Sequence, residues 1–164
     1  MRRIGLLSDT HGWWDDKYVE YFSECDEIWH AGDIGSLAVL EKLEQIAPVR
    51  AVSGNIDDHT IRISCPQFLR FTIEKTEIWM THIAGYPGHY TPDIRQKLNI
   101  HHPHLLICGH SHLLKVEFDK RKNMLYMNPG AAGKYGPHKV RTLIRFTIEE
   151  EKFKNLEVIE LASL

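Results

Sequence analysis

IGLL, at residues 4–7, leads directly into SDTHG, at residues 8–12, and the same succession recurs along this 164-residue chain. A short apolar run of this kind is typical of a buried β-strand, so the polar residues after it lie at the strand's carboxyl end. Four further apolar runs lead into a polar or glycine-containing segment, at residues 28–29, 51–52, 78–80 and 105–108. Because ligands bind at the carboxyl ends of strands in open α/β sheets, the side chains after these five runs are expected to converge.

Helix-like stretches separate the strands in the first half of the chain. Asp15 or Asp16 is expected to cap a helix that carries Val19 and Phe22, and Ser36 a second helix with leucines at helical spacing. The second half predicts a hairpin at residues 67–74 and 77–80 and one helix at residues 92–99. A series of strands follows, at residues 105–108, 115–118, 124–127, 140–148 and 156–161. This pattern favours an α/β domain, and two sheets packed face to face fit its β-rich second half.

Length and composition indicate one domain, residues 1–164, because 43% of the residues are hydrophobic and can build a core. The formal net charge is −2 and no long basic tract occurs, so specific nucleic-acid binding is not indicated. The first apolar run is too short for a signal segment or a membrane span, which predicts a cytoplasmic protein with no membrane partner. Three cysteines without a C-x-x-C pair are expected to be reduced hydrophobic residues: Cys25, Cys65 and Cys108.

Metal-capable side chains stand at the end of all five apolar runs. They are Asp9 and His11, Asp33, Asn55, His82, and His110 and His112. Imidazole, carboxylate and amide groups without a thiolate suit borderline divalent ions such as manganese, iron, zinc or cobalt, and the ligand types do not rank these ions. We expect two divalent ions and name manganese first, with zinc, iron, cobalt or nickel as alternatives. Two such ions carry four positive charges, and Asp9 and Asp33 neutralise two of them. The remaining positive charge suits the binding of an anionic phosphate ester.

These blocks, in this order, resemble the calcineurin-like metallophosphoesterase superfamily, and within it the branch of small, single-domain bacterial and archaeal phosphodiesterases. The blocks are D-x-H at residues 9–11, G-D at 32–33, G-N at 54–55, the lone His82 and G-H-x-H at 109–112, followed by N-P-G at 128–130. The resemblance implies a four-layer α/β/β/α sandwich of two mixed sheets flanked by helices. It also implies a ligand set: Asp9, His11 and His112 for the first metal, Asn55, His82 and His110 for the second, and Asp33 between them.

The resemblance further implies that a hydroxide bridging two divalent metals attacks a small phosphate-ester substrate. Asp33, Asn55 and His110 are then expected to position the ester and to stabilise its charge. Many monoesterases of the superfamily carry a histidine directly after the asparagine, whereas Ile56 stands there in this chain. Since a ready general acid is missing, phosphodiesters are favoured over alkyl monoesters. The family often has glycine after the lone histidine, but this chain has Ile83, so the loop geometry and the role of His89 stay open.

Two other functions fit the same blocks. One is a catalytically quiet protein-binding scaffold, a role that the small retromer subunit performs on a similar fold. The other is a phosphomonoesterase acting on a small metabolite. A homo-oligomer is compatible with either function and with the diesterase.

Several residues outside the blocks have more than one interpretation. The histidines of residues 101–104 flank Pro103, which favours a solvated loop over a metal-binding tract. His30 is expected either to orient the site or to be a hydrogen-bonded strand histidine. Asp57 and His59 either contact substrate or are simply solvated. The pair Trp13-Trp14 either lines the mouth of the site, or marks a partner surface, or packs in the ordinary way.

Overall fold

The computed structural model describes residues 1–163, with side chains described as far as Leu161. Within that range the chain forms two five-stranded sheets, a small two-stranded sheet and four short helices. The elements in chain order are β1 (Arg2–Leu7), α1 (Lys17–Phe22), β2 (Glu27–His30), α2 (Leu37–Glu44), β3 (Val49–Ala51), α3 (His59–Ser64), β4 (Phe68–Ile73), β5 (Thr76–Thr81), β6 (Gly85–Tyr86), β7 (His89–Tyr90), α4 (Pro92–Ile100), β8 (Leu105–Ile107), β9 (Leu114–Asp119), β10 (Met124–Pro129), β11 (Val140–Glu149) and β12 (Lys152–Ser163).

Both large sheets are mixed. The first has the order β12-β11-β1-β2-β3, in which β1, β2 and β3 run parallel and β11 pairs antiparallel with β1. The second has the order β4-β5-β8-β10-β9, in which β5, β8 and β10 are parallel and both edge strands are antiparallel. The predicted hairpin over residues 67–80 is the antiparallel pair β4–β5.

Three hydrophobic clusters separate four layers. The central cluster joins the facing sides of the two sheets, for example Leu6 and Trp29 on the first sheet with Met80 and Ile107 on the second. A second cluster packs α1, α2 and α3 on the outer face of the first sheet. The third packs α4 on the outer face of the second sheet. The expected α/β/β/α sandwich is therefore confirmed, and each sheet is covered by helices because its outer face is apolar.

Local details differ from the sequence prediction. Helix α1 buries Tyr18 and Phe22, four residues apart on one face, whereas Val19 is 44% exposed. Helix α3 was not predicted, because only Ile61 of its six residues is buried and no apolar period marks it. Strands β6 and β7 have two residues each, too few to show an alternating pattern. None of the helices in the described residues has the length and apolar character that crossing a bilayer requires.

Candidate metal centre

Two clusters of potential ligands lie at the carboxyl ends of the parallel strands. One contains Asp9, His11 and His112, and the other contains Asp33, His82 and His110, with the ligand atoms of each cluster within 4.8 Å of one another. The clusters adjoin, since Asp33 Oδ2 lies 3.1 Å from His82 Nε2 and 3.5 Å from His11 Nε2. Asp33 is thus the member of the second cluster that faces His11 of the first.

Asn55 completes the set of seven side chains. Its Oδ1 lies 3.1 Å from His110 Nδ1, and the ring of His110 packs edge-on at 5.3 Å from the ring of His82. Asn55 and His110 are exposed, whereas Asp33 and His82 are buried. All seven sequence-predicted side chains therefore meet at one rim, and the asparagine and one histidine form its open side.

The backbone is unusual at most of these positions. Five of the seven have a positive φ that only glycine adopts readily: Asp9 (55°), His11 (48°), Asp33 (55°), His110 (72°) and His112 (63°). Left-handed backbone in residues with a Cβ costs free energy and clusters at functional sites. The strand ends are therefore turned sharply, which aims successive side chains at the same point.

The two carboxylates are held so that one oxygen of each faces the clusters. Asp9 Oδ2 accepts hydrogen bonds from Ser8 Oγ (2.7 Å) and from the backbone N of His110 (3.1 Å). Asp33 Oδ1 accepts one from the backbone N of Ile56 (3.0 Å). Asp9 Oδ1 and Asp33 Oδ2 remain directed at the histidines, which is the arrangement expected of metal-ligating carboxylates.

Three buried polar atoms at this rim have no hydrogen-bond partner among the residues that the structure describes: Asp9 Oδ1, His11 Nε2 and His82 Nε2. Leaving such groups unsatisfied costs roughly 1–3 kcal/mol each. His82 Nδ1 donates to the carbonyl of Ala31 (2.8 Å), so in the neutral ring Nε2 carries the lone pair. The residues present therefore fit divalent metal ions, whose coordination would satisfy all three atoms.

The charges of these groups are strongly coupled. Burial alone would raise the pKa of Asp9, but the nearby rings of His11 and His112, whose Nε2 atoms lie 3.7 Å and 3.3 Å from Asp9 Oδ1, outweigh it and hold the pKa far below its usual range. The nearby carboxylate of Asp9 raises the pKa of His11. Burial would lower the pKa of His82, but the carboxylate of Asp33, 3.1 Å from His82 Nε2, and the charge of Asp9 outweigh burial and raise it. The two aspartates are thus ionised at neutral pH, as ligands must be.

A histidine that the sequence analysis did not single out orients His112. His138 Nε2 lies 2.7 Å from the carbonyl of Gly133, and since a carbonyl only accepts, Nε2 carries the hydrogen. In the neutral ring His138 Nδ1 is then an acceptor, 3.0 Å from His112 Nδ1, which donates. Burial lowers the pKa of His138, which keeps this ring neutral at physiological pH. His112 therefore turns the lone pair of Nε2 towards Asp9 Oδ1, 3.3 Å away.

Comparison with known proteins agrees with this geometry. A family model described as "Calcineurin-like phosphoesterase superfamily domain" matches residues 1–151. This chain belongs to that superfamily. The chain is 32% identical over 133 residues to a probable metallophosphoesterase of Methanothermobacter thermautotrophicus, a match that covers 78% of this chain and 76% of the relative.

Solved structures share the fold of this superfamily member. An archaeal phosphodiesterase superposes with a TM-score of 0.76 at 24% identity and covers 97% of this chain and 99% of its own. Vps29 from Chaetomium thermophilum also has a TM-score of 0.76, at 16% identity, and covers 98% of this chain and 97% of its own. At these identities the likeness shows the fold alone.

Within the superfamily domain, Asp57 is a structural residue. It is buried, and its carboxylate accepts hydrogen bonds from the backbone N of Gly54 (2.8 Å), Ile34 (3.2 Å) and Gly35 (2.8 Å). It thereby ties the loop that carries Asp33 to the loop that carries the candidate asparagine ligand. His59, in contrast, is exposed at the start of α3.

His30 satisfies both of its interpretations. It is fully buried, accepts from the backbone N of Gly32 (3.1 Å) and lies 2.9 Å from Thr10 Oγ1, so it links the first two ligand loops. Burial lowers its pKa to about 4, which keeps it neutral. A similar support comes from Asn128 of the N-P-G turn, whose Nδ2 donates to the carbonyl of Gly109 and to Ser111 Oγ, both at 3.0 Å.

The two adjacent tryptophans pack against neighbouring side chains, and two histidines of the loop at residues 101–104 make polar contacts. Trp14 packs edge-on against Tyr18, at 5.2 Å between ring centroids, and contacts the outer core of the first sheet. Trp13 is covered by the guanidinium of Arg141, 4.1 Å from the ring centroid. In the loop at residues 101–104, His101 pairs with Glu77 and His104 Nδ1 accepts from the backbone N of the same residue, so this loop is anchored to β5 rather than freely solvated.

Proposed function

We propose that this chain is a metal-dependent phosphodiesterase with two divalent ions held by the seven converging side chains. The observation that carries the proposal is the pair of adjoining clusters, each with a carboxylate oxygen and imidazole nitrogens directed at a common point. Bound divalent ions would supply Lewis acidity that activates water and neutralises charge on the ester. The ligand set mixes imidazole with oxygen and has no thiolate, so it suits manganese as well as zinc, iron or cobalt, and manganese is the ion we use in the tests below.

The residues of the chain divide into holding and positioning groups. Asp9, Asp33 and His82 are buried, so their role is to hold positive charge at a fixed place. Asn55 and His110 are exposed on the open side of the rim. We assign to these two the positioning of the phosphate group, because a substrate arriving from solvent meets them first. Oriented groups of this kind lower the barrier by fixing the reacting atoms in place.

The loop after Asn55 favours diesters. Ile56 follows the asparagine and is 47% exposed, and it has no ionisable group. The next carboxylate, Asp57, is turned inward onto three backbone N–H groups and does not face the rim. Asp58 accepts from the backbone N of Ile61 as the N-cap of α3. Since no acid in residues 54–58 is free to protonate a leaving group, substrates with a good leaving group are favoured.

A protein-binding scaffold and a phosphomonoesterase are the competing functions. The scaffold function places no demand on ligand chemistry, yet every one of the seven positions keeps a ligand-capable side chain and the ligand atoms converge. The monoesterase function calls for a proton donor near the leaving oxygen, which the residue at position 56 does not offer. Both alternatives are separated by one assay.

The assay compares bis(p-nitrophenyl) phosphate with p-nitrophenyl phosphate in the presence of manganese, after the bound metal has been measured. We expect faster hydrolysis of the diester, and a loss on the order of a hundredfold or more in kcat for Asp33→Ala and His110→Ala. His59→Ala, at an exposed position outside the clusters, serves as the matched control. Bound metal without cleavage of either ester above the variants would turn the assignment to a scaffold, and a preference for the monoester would turn it to a phosphomonoesterase.

A further inference from the structure

An apolar groove opens directly beside the candidate metal centre. It has a volume of about 440 Å³ and lies between the β6–β7 hairpin and the loop that carries His110. His110 therefore lines the groove and also belongs to the second ligand cluster. The groove is continuous with the place where the proposed function holds the phosphate group.

Exposed apolar side chains form the walls of this groove. Ile83 is 42% exposed, Tyr86 47% and Leu113 68%. Lys115 reaches over the ring of Tyr86, 5.1 Å from its centroid, but its ammonium lies 3.5 Å from a carboxylate oxygen of Glu117. The one cation of the lining is thus partly neutralised, so the groove offers little to attract an anion.

Most polar groups of the groove already form hydrogen bonds within the protein. Tyr126 donates its hydroxyl hydrogen to the carbonyl of Gly85 (2.6 Å) and accepts from Cys108 Sγ (3.0 Å). Ser111 Oγ accepts from the backbone N of Leu113 (3.2 Å). A polar occupant would find few free partners here, whereas a carbon-rich occupant loses nothing and buries apolar surface.

The groove on the other side of Ile83 has a more polar lining. It has a volume of about 520 Å³, and polar side chains dominate its lining: Asn55, Arg62, Gln67, Thr81, His82, Asp93 and Lys97. Ile83 lines both grooves, and so divides the surroundings of the metal centre into a polar side and an apolar side. A phosphodiester carries two ester groups, here called its arms. The two grooves would accept arms of different polarity.

We propose that the apolar groove binds one ester arm of the substrate, and that this arm is an alkyl or aryl group rather than a charged one. This inference rests on the proposed function, because the phosphate group has to be held at the metal centre for its arm to reach the groove. It also specifies that function further: the substrate is an asymmetric phosphodiester with one hydrophobic arm.

Phosphonates with a single carbon arm test the groove without any cleavage step. The dissociation constants of methyl-, butyl- and phenylphosphonate for the manganese-loaded protein are measured by calorimetry. We expect the butyl and phenyl compounds to bind on the order of tenfold more tightly than the methyl compound, because the groove buries their additional carbon surface. Leu113→Ser and Tyr86→Ser should bring this ratio close to one.

Leu156→Ser is the matched control, because Leu156 is 41% exposed on β12 of the other sheet and lines neither groove. It should keep the wild-type ratio. Equal dissociation constants for the three phosphonates in the wild type, or a ratio unchanged in both groove variants, would overturn the groove assignment while phosphate binding and hydrolysis stand. Failure of the manganese-loaded wild type to bind any phosphonate would overturn the proposed function and this inference with it.

Discussion

The Nδ1 atoms of His112 and His138 lie 3.0 Å apart, and the carbonyl of Gly133 on the far side of His138 determines which of them carries the hydrogen. His138 can accept from His112 only while its other nitrogen donates to that carbonyl. A neutral His138 therefore selects the tautomer of His112 that has its lone pair on Nε2, next to Asp9. Partners of this kind fix the orientation of metal-ligating histidines.

Substitution of His138 should change metal affinity according to the group that faces His112. His138→Leu removes the acceptor, and we expect the dissociation constant for manganese to rise by about 10- to 100-fold. His138→Asn can place its carbonyl oxygen where Nδ1 lies, so the constant should stay within about threefold of the wild type. Calorimetric titration measures both. Equal losses in the two variants would mean that His138 acts through packing alone.

Asp57 should contribute to stability independently of metal. Asp57→Ala leaves three backbone N–H groups without an acceptor, and we expect the free energy of unfolding of the metal-free protein to fall by about 3 kcal/mol or more. Asp57→Asn keeps one acceptor oxygen, so its free energy of unfolding should fall by a smaller amount. Urea denaturation measures these differences. Asp93→Ala is the control, since Asp93 is exposed and forms an ion pair with Lys97 at the surface. A loss as large in Asp93→Ala would contradict the role of Asp57.

The sequence predicts what burial and strand periodicity determine, and little of what depends on contacts across the fold. The strands that precede the ligands were predicted because apolar runs such as residues 105–107 are fully buried. The convergence of Asp9 and His112 followed from strand-end placement and from the resemblance together. Helix α3 and the β6–β7 hairpin carry too few apolar residues to show a period. His138 lies far along the loop between β10 and β11 and not directly at a strand end, so its contact with His112 had no signal in the sequence.

Gly54 should be intolerant of a side chain for steric reasons. A Cβ at this position would collide with Oδ1 and the backbone N of Asp33. We therefore expect Gly54→Ala to displace the central carboxylate, weaken manganese binding at least tenfold and lower the free energy of unfolding by about 1–3 kcal/mol. Gly88→Ala is the comparison, because Gly88 has a φ of +88° but, apart from its two chain neighbours, no described residue has an atom within 4 Å of its added Cβ.

In the Gly88 variant the free energy of unfolding should fall by about 1 kcal/mol, because only the backbone conformation is strained. This variant should bind manganese as the wild type does. Thermal unfolding and manganese titration of both variants separate a steric effect from backbone strain. A Gly54 variant with unchanged metal affinity would show that the Asp33 loop can shift without loss, against the close packing of the two ligand loops.

Metal affinity should increase with pH. The nearby carboxylate of Asp9 raises the pKa of His11, and contacts with Asp33 and Asp9, which outweigh burial, raise the pKa of His82, so protons compete with metal at both rings. These protonated rings stabilise the metal-free fold below the unfolded pKa of about 6.5, and this contribution disappears as the pH rises through the raised pKa. Metal binding has the opposite dependence, since each displaced proton weakens binding by about tenfold per pH unit below that pKa.

The dissociation constant for manganese should therefore fall as the pH rises from about 6 to about 8. Calorimetry in two buffers with different ionisation enthalpies counts the protons released on binding. His30 should not contribute in this range, because burial keeps its pKa at about 4. His82→Gln should lower the number of protons released, since it removes one of the two competing rings, whereas His59→Ala should leave it unchanged. Binding without proton release in the wild type would show that His11 and His82 are not the groups that receive the ion.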